Sequence, residues 1–326
     1  MGDPEKDKEV FALRPMTCPF QYQAYLSKMR SYRDLPLRYA ETSTLFRNEA
    51  SGEMHGLIRV RQFTISEGHL MCRPDQLEDE FRSCLEITNY MLKTLGLYED
   101  VSYRFSQWDP DDREKYIGTE EQWNEAQTTM KNILDDLRLD YKIGVGEAAF
   151  YGPKLDIQIK NVFGKEDTLI TIQVDQMLAE KFGMEYTDSD GSKKNPYIIH
   201  RTSIGCYERT LALLIEKYAG AFPTWLAPVQ VKLLPITDGQ KEYAKAYASV
   251  LRENGISVEV DDRNEKIGYK IREAQLEKVP YMLIVGEKEK ETDTVSVRSR
   301  KDGDLGALSK HEFLERISLE IKNKAR

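Results

Sequence analysis

The sequence has 326 residues, of which 40% are hydrophobic and 31% are charged, and its formal net charge is -8. This length suits two domains better than one, and the acidic balance argues against a protein that grips nucleic acid by bulk positive charge. There is no apolar run of about 18 residues to span a membrane, and the start MGDPEKDKEV is not a signal peptide. The four cysteines are unevenly spaced and form no disulfide framework. We therefore expect a cytoplasmic protein with reduced thiols.

The first part of the chain, up to about residue 225, is predicted to be an antiparallel sheet with helices packed beside it, an α+β layout. Residues 37–46 and 57–65 read as two strands joined by a polar loop of turn-forming residues, 48–56. An amphipathic helix is predicted over residues 75–95. Its expected apolar face consists of Phe81, Leu85, Ile87, Tyr90 and Met91.

Two further strand segments follow at residues 154–159 and 168–174, and they are predicted to form a hairpin. Residues 197–201 then form a strand that leads through Gly205 into an apolar helix over residues 207–218. Adjoining strands of this kind favour antiparallel pairing.

The second part of the chain has a different order of predicted strands and helices. Two prolines bracket a short apolar linker at residues 221–228, which predicts domains at 1–226 and 227–326. Beyond the linker, strands at 229–234, 257–260 and 281–285 alternate with helices at 240–254 and 266–276. This alternation predicts a small α/β domain with βαβ connections.

Histidine is scarce, with His55, His69, His200 and His311 as the four examples. His69 and His200 fall at or near the ends of predicted strands, and Cys18 precedes a proline at the start of a helix. One cysteine and two histidines so far apart follow no local spacing rule for a metal site, and isolated buried Cys and His residues are common. If they did bind zinc together, three protein ligands would leave a coordination position open for substrate.

Two short motifs carry recognisable chemistry. Residues 44–49 (TLFRNE) resemble motif 2 of class II aminoacyl-tRNA synthetases, and residues 204–209 (IGCYER) resemble motif 3. Each supplies an arginine, which can clamp a phosphate by charge-assisted contacts and so position ATP for attack by a carboxylate. Longer stretches resemble the threonyl-tRNA synthetases, in order and with matching spacing: residues 13–19 (LRPMTCP), 31–38 (SYRDLPLR), 51–61 (SGEMHGLIRVR), 149–154 (AFYGPK), 222–230 (FPTWLAPVQ) and 263–272 (RNEKIGYKIR).

The resemblance implies a threonine-tRNA ligase that activates threonine with ATP and Mg²⁺ and transfers it to tRNA(Thr). It implies one zinc ion per chain on Cys18, His69 and His200, which selects threonine over valine because valine lacks the hydroxyl ligand. Matching the family's motifs assigns catalytic roles to Arg47, Lys154 and Arg209, ATP binding to Arg47, Glu49, Arg59, Phe63 and Arg209, and threonine binding to Met16, Glu67, Tyr151 and Gln173. From the residues alone, ordinary core packing would explain Phe63 and Tyr151, and a solvated strand position would explain Lys154.

The second domain resembles the anticodon-binding domain of the threonyl, prolyl, histidyl and glycyl enzymes. Asn264, Glu289 and Arg298 match positions that read anticodon bases, and their side chains suit the hydrogen-bonding edges of unstacked bases. Glu289 also lies in a charged run, residues 288–291, for which a solvated turn is an equally good interpretation.

The sequence departs from the family pattern in several places. Glu67 stands where many members have aspartate, Ile65 where many have glutamine, and Phe20 where glycine is usual. Motif 1, which builds the family's dimer interface, should precede Leu13, and Met1-Gly-Asp-Pro reads as a start inside a longer gene. We therefore expect the full-length protein to be a homodimer and this chain alone to be a weak or inactive enzyme. A non-catalytic tRNA-binding module and a sister enzyme such as the prolyl one, which lacks the Cys-His-His set, are the alternatives.

Overall fold

The structure is a computed structural model that describes residue 6 and residues 9–326. The start Met1-Gly-Asp-Pro, interpreted above, lies outside the described residues. Contacts divide the chain into two compact units, Met1–Leu213 and Leu214–Arg326. The predicted domain boundary between residues 226 and 227 stays a prediction.

The first unit is built on a seven-stranded sheet. Its strand order is β1-β2-β9-β6-β5-β3-β4, with every neighbouring pair antiparallel except β3 and β4. The strands are β1 (Leu37–Phe46), β2 (Gln62–Cys72), β3 (Val101–Gln107), β4 (Tyr141–Val145), β5 (Lys154–Lys160), β6 (Glu166–Asp175) and β9 (Tyr197–Cys206), and a separate two-stranded ribbon consists of β7 (Tyr186–Thr187) and β8 (Lys193–Lys194).

The α-helices found in the described residues up to the start of the second sheet are α1 (Cys18–Leu26), α2 (Leu77–Leu95), α3 (Glu120–Asp136), α4 (Leu178–Lys181) and α5 (Tyr207–Tyr218). The helix α2 packs against β9 and β6 and ends at Gly96, which adopts a left-handed conformation suited to glycine. Phe81 and Leu85 are buried in that face as predicted. Ile87 and Tyr90 were assigned to the same face wrongly, because their side chains are 39% and 55% exposed.

The second unit contains a five-stranded sheet of order β11-β10-β12-β13-β14, parallel over its first three strands and antiparallel over the rest. Its elements are β10 (Val231–Pro235), α6 (Lys241–Glu253), β11 (Val258–Val260), α7 (Ile267–Leu276), β12 (Tyr281–Val285), α8 (Glu287–Thr292), β13 (Thr294–Ser299), β14 (Gly303–Ser309) and α9 (Lys310–Lys322). Val231 and Leu283 from the sheet pack with Tyr247 and Phe313 from α6 and α9 in one buried cluster. The predicted fold class, an antiparallel α+β unit followed by a small βαβ-containing unit, is confirmed.

The strand that was predicted over residues 57–65 is misplaced. The observed strand β2 starts at Gln62 and continues to Cys72, while residues 56–58 form a turn before it that is closed by a bridge between His55 and Arg59. His69 therefore lies within β2, near its end, and His200 lies within β9, near its start. Among the helices of the described residues, none has the length and continuous apolar character that crossing a bilayer requires.

Candidate active site

A cavity of about 790 Å³ opens on one face of the seven-stranded sheet, over β1, β2, β9 and β6. Most of the residues assigned by resemblance to substrates or to zinc line it: Met16, Cys18, Arg47, Glu49, Arg59, Phe63, Glu67, Tyr151, Gln173, His200 and Arg209. The sheet register explains this convergence, since His69 pairs directly with His200 across β2 and β9, and His200 pairs with Gln173 across β9 and β6. Side chains directly opposite on one face of an antiparallel pair come into contact.

One end of the cavity carries soft, metal-binding donors. One ligand atom from each of Cys18, Glu67, His69 and His200 lies within 4.8 Å of the other three. The Cys18 Sγ atom is 3.6 Å from His200 Nδ1, and the His69 Nε2 atom is 4.0 Å from Glu67 Oε1. The two imidazole rings meet edge to face with centroids 4.6 Å apart.

The proton states of these groups are perturbed by their surroundings. Burial, with the neighbouring His200 and Arg201, keeps the pKa of His69 well below its usual range, so this ring is neutral at pH 7. Burial alone would lower the pKa of His200, but hydrogen bonds to Asp175 and Cys18 outweigh it and raise its pKa to about 10. A ring that binds a metal must give up that proton.

This donor set fits a zinc ion. His69 Nε2 is a buried nitrogen that has no hydrogen-bond partner within the described part of the chain, although its ring is fully buried. An unpaired buried polar atom is costly unless something satisfies it. One thiolate and two imidazoles are the ligand types that zinc prefers at sites that keep a position open.

The opposite end of the cavity carries two arginines and an aromatic ring. The Arg47 guanidinium, just beyond the end of β1, lies 5.1 Å from the centre of the Phe63 ring on β2. Arg209, in the first turn of α5, donates to the carbonyl oxygens of Ile58 at 3.1 Å and Thr168 at 2.8 Å. Glu49 accepts from Arg59 at 2.9 Å. Two cations, which can bind phosphates, and a ring face, which can stack on a base, are therefore held around one space, an arrangement suited to a nucleoside triphosphate.

Hydrogen bonds connect the turn from β9 into α5 with the start of β2. Glu208 accepts the Thr64 backbone N–H at 2.9 and 3.0 Å, and the Cys206 thiol donates to the same carboxylate at 3.2 Å. Burial opposes ionisation, but these hydrogen bonds outweigh it and lower the pKa of Glu208. No role was predicted for Glu208 or Cys206, although both lie inside the motif 3 segment.

Two assigned residues do not line the cavity. His69 lies behind it, beside Glu67. The Lys154 ammonium pairs with Asp156 at 2.6 Å, and that buried carboxylate also accepts from Ser106 and Thr171, at 2.7 Å each. Asp156 was not predicted, although it lies two residues along the same face of β5 from Lys154.

The end of the cavity that carries the metal-binding donors also contains Tyr151, whose hydroxyl donates to the Gln173 side chain. Its ring lies 4.9 Å from that of His200, and burial raises its pKa well above the usual range, so the phenol stays protonated. Glu67 accepts a hydrogen bond from the buried Thr17 hydroxyl. The assigned residues Tyr151 and Gln173 thus lie beside the cluster of metal-binding donors, to which Glu67 itself belongs.

Comparisons with known proteins agree with this geometry. The family model described as the tRNA synthetase class II core domain (G, H, P, S and T) matches residues 3–218. The chain belongs to the class II tRNA synthetases. A second model, the anticodon binding domain, matches residues 230–320 of this synthetase chain.

Curated relatives within the class II synthetases carry a more specific name. A threonine–tRNA ligase of Clostridium perfringens is 63% identical over 99% of this chain, and one of Halalkalibacterium halodurans is 46% identical over 98% of it. The chain spans about half the length of these relatives, 50% and 49%. A crystal structure described as the RNA binding domain of threonyl-tRNA synthetase from Cryptosporidium parvum matches with a TM-score of 0.88 and 34% identity, over 94% of this chain and 76% of that one. The resemblance to threonyl-tRNA synthetases is confirmed.

The residues assigned to the anticodon lie in the second unit of the synthetase chain. Asn264 is exposed in the loop between β11 and α7, and Arg298 is half-buried on β13. Glu289 accepts from the Gly286 backbone at 2.9 Å and from Ser296 at 2.8 Å. Burial opposes ionisation of Glu289, but these two hydrogen bonds lower its pKa. Arg298 lies two residues along the same face of β13 from Ser296, the serine that Glu289 contacts.

Proposed function

We propose that the chain activates threonine with ATP and Mg²⁺ to form threonyl-adenylate, and transfers the threonyl group to tRNA(Thr). The observation that carries this proposal is the convergence of Cys18, His69 and His200 at one end of a cavity whose other end holds Arg47 and Arg209. The threonine–tRNA ligase relatives support the same amino acid.

Each end of the cavity contributes a separate part of this activity. Arg47 and Arg209 bind and orient the phosphates, and the Phe63 ring stacks on the adenine, so that the α-phosphate meets the threonine carboxylate. Glu49 orients the adenine by accepting a hydrogen bond, while Arg59 holds Glu49 in place. Met16, Glu67, Tyr151 and Gln173 enclose the amino acid, and Lys154 is held near it by Asp156.

Zinc on Cys18, His69 and His200 would supply a Lewis acid that takes the amino and hydroxyl groups of threonine as ligands. An apolar pocket separates a hydroxyl-bearing ligand from its isostere by only ~10²-fold. A site that requires the hydroxyl as a ligand rejects valine by roughly 10⁴-fold or more, since the vacant polar position is then left unpaired. Serine keeps the hydroxyl and is not rejected in this way.

The proposal predicts a large preference for threonine over valine. We expect threonine-dependent exchange of pyrophosphate into ATP to exceed the valine-dependent rate by more than ~10³-fold, with serine intermediate. Equilibrium binding of threonyl- and valyl-sulfamoyl adenosine to the same chain should show the same order, and it needs no turnover. Equal binding of the two analogues would reject the zinc-based selection, and no binding of either would favour the non-catalytic module.

The second unit is proposed to bind the anticodon of tRNA(Thr) through Asn264, Glu289 and Arg298. The anticodon-binding family model supports this assignment. We predict that Arg298→Ala weakens binding of a tRNA(Thr) transcript by roughly 10-fold, because one base contact is lost. The control is Arg316→Ala, which removes an exposed arginine of α9 that pairs with Asp302 at 3.3 Å. Equal affinity of the two variants in a filter-binding titration would contradict the assignment. Dimerisation of the full-length protein stays a prediction.

A further inference from the structure

Each of the two histidines assigned to zinc presents one ring nitrogen to the donor cluster and the other to a side chain outside it. A neutral imidazole carries its proton on only one of its two nitrogens. A hydrogen-bond acceptor beside one nitrogen holds the proton there, and the other nitrogen is then free to bind a metal. The partners here are Gln21 for His69 and Asp175 for His200. Both are buried, at 6% and 0% exposure.

The orientation of the Gln21 amide is fixed by a carboxylate. Its Nε2 donates to Glu41 Oε1 at 3.4 Å, and a carboxylate can only accept. The amide oxygen therefore faces His69 Nδ1, at 2.8 Å, so that Nδ1 must carry the proton and donate it. The lone pair of His69 is then on Nε2, the buried nitrogen that has no hydrogen-bond partner among the described residues.

The orientation of Asp175 is fixed by the backbone. Its Oδ1 accepts the N–H groups of Met177 and Leu178 at 2.8 and 2.9 Å. The other oxygen, Oδ2, accepts from His200 Nε2 at 3.1 Å, and the Tyr22 hydroxyl lies 3.5 Å from the same nitrogen. His200 then turns Nδ1 toward the Cys18 sulfur, 3.6 Å away.

We propose that Gln21 and Asp175 are positioning residues that hold the two imidazoles in opposite tautomers, so that His69 binds zinc through Nε2 and His200 through Nδ1. This inference rests on the proposed zinc site. It assigns a role to two residues that touch neither the metal nor the substrate. Outer partners of this kind typically contribute a factor of about 10–100 to metal affinity.

Asparagine at position 175 would do more than weaken a hydrogen bond. Its carbonyl oxygen must stay on the Met177 and Leu178 N–H groups, so its NH₂ group faces His200 Nε2. An amide NH₂ only donates, which forces the His200 proton onto Nδ1, the nitrogen that faces Cys18. Asp175→Asn is thus nearly isosteric and yet reverses the tautomer that zinc requires.

The test measures zinc affinity of the full chain by competition with a chromophoric chelator. We expect Asp175→Asn and Gln21→Met each to lower it about 10–100-fold. Gln23→Met, on the exposed side of α1, is the matched control and should leave it within about twofold of the unchanged chain. Each variant removes a buried hydrogen bond, so the metal-free proteins are expected to melt at lower temperatures. Zinc affinity is therefore measured at a temperature where every metal-free variant is folded. A loss of affinity that persists there reflects positioning, whereas one that disappears reflects a purely structural role.

A spectroscopic readout on the unchanged chain is independent of the variants. In ¹⁵N-histidine spectra of the zinc-loaded chain, we expect one ring with a protonated Nδ1 and one with a protonated Nε2, while the exposed His55 and His311 show neither fixed state. Two buried rings with the same tautomer, or variants that bind zinc as tightly as the unchanged chain, would overturn the inference and leave the proposed function intact. If the unchanged chain bound no zinc, both the proposed zinc site and this inference would be rejected.

Discussion

Cys18→Ser is expected to lower the zinc affinity of the chain by a factor on the order of 10²–10³. Zinc in a protein site has an apparent binding free energy of about 10–16 kcal/mol, so one of about four ligands accounts for about 2.5–4 kcal/mol. A serine hydroxyl is a much weaker ligand than a thiolate. Metal analysis after dialysis should find about one zinc per unchanged chain and almost none in the variant.

The chain contains a matched control for this substitution. Cys206 lines the same cavity, but its thiol donates to Glu208 and does not belong to the cluster of Cys18, Glu67, His69 and His200. A serine at position 206 can make the same hydrogen bond, so Cys206→Ser should retain its zinc. Metal content that is unchanged in Cys18→Ser, or lost equally in both variants, would show that the ligands have been assigned wrongly.

Much of the fold could be predicted from local pattern. The strand Leu37–Phe46, the helix Tyr207–Tyr218 and the strand Tyr281–Val285 have the predicted ends, because turn-forming or polar residues bound each apolar segment. The region of residues 101–145 was assigned no elements, although it contains β3, α3 and β4. The strand pattern was nevertheless present, because Val101, Tyr103 and Phe105 alternate with polar residues along β3.

The failure at β2 has a functional cause. Residues 66–69 are serine, glutamate, glycine and histidine, which do not form the apolar alternation of a buried strand. Glu67 lines the cavity and His69 belongs to the donor cluster beside it, where polar side chains are needed, so a fully paired central strand resembles a loop in the sequence. The prediction consequently stopped at residue 65, ahead of the segment that matters most.

The error in α2 has a different origin. Ile87 and Tyr90 are apolar in type, but the buried stripe passes through Cys84, Thr88 and Leu92 instead. Apolar residues on a helix surface are common, so residue type alone does not fix the phase of the buried face.

The site was predictable only through resemblance. Cys18, His69 and His200 are joined by sheet register and by the position of α1, neither of which any spacing rule contains. Gln21 and Asp175 have still weaker signals, since Gln21 lies three residues after Cys18 and Asp175 two residues after Gln173. Their roles follow from hydrogen bonds between residues 48 and 25 positions apart, which the sequence does not encode locally.

The glycine at the end of β9 could be predicted from its motif, and its effect on stability is expected to be large. Gly205→Ala should lower the free energy of unfolding of the first unit by about 3 kcal/mol. Gly205 has a φ of +74°, a left-handed conformation that costs an L-residue about 1–2 kcal/mol. An added Cβ would also lie 2.1 Å from the Leu169 carbonyl oxygen, and relieving such an overlap requires a backbone shift that costs about 1–3 kcal/mol.

Gly183→Ala separates these two contributions. Gly183 has a φ of +66° in the same unit, but an added Cβ would meet no atom within 4 Å, so this variant should cost only about 1 kcal/mol. Hydrogen exchange of the β6 and β9 amides at increasing urea concentrations reports the stability of the first unit without interference from the second.

The Leu169 carbonyl that an added Cβ at position 205 would meet lies on β6, next to Thr168, whose own carbonyl oxygen accepts from Arg209. A shift there must also move the arginine assigned to the phosphates, so ATP affinity should fall in Gly205→Ala and stay constant in Gly183→Ala. Equal unfolding free energies for the two variants would mean that β6 and β9 accommodate a methyl group, and that the close approach does not fix the position of Arg209.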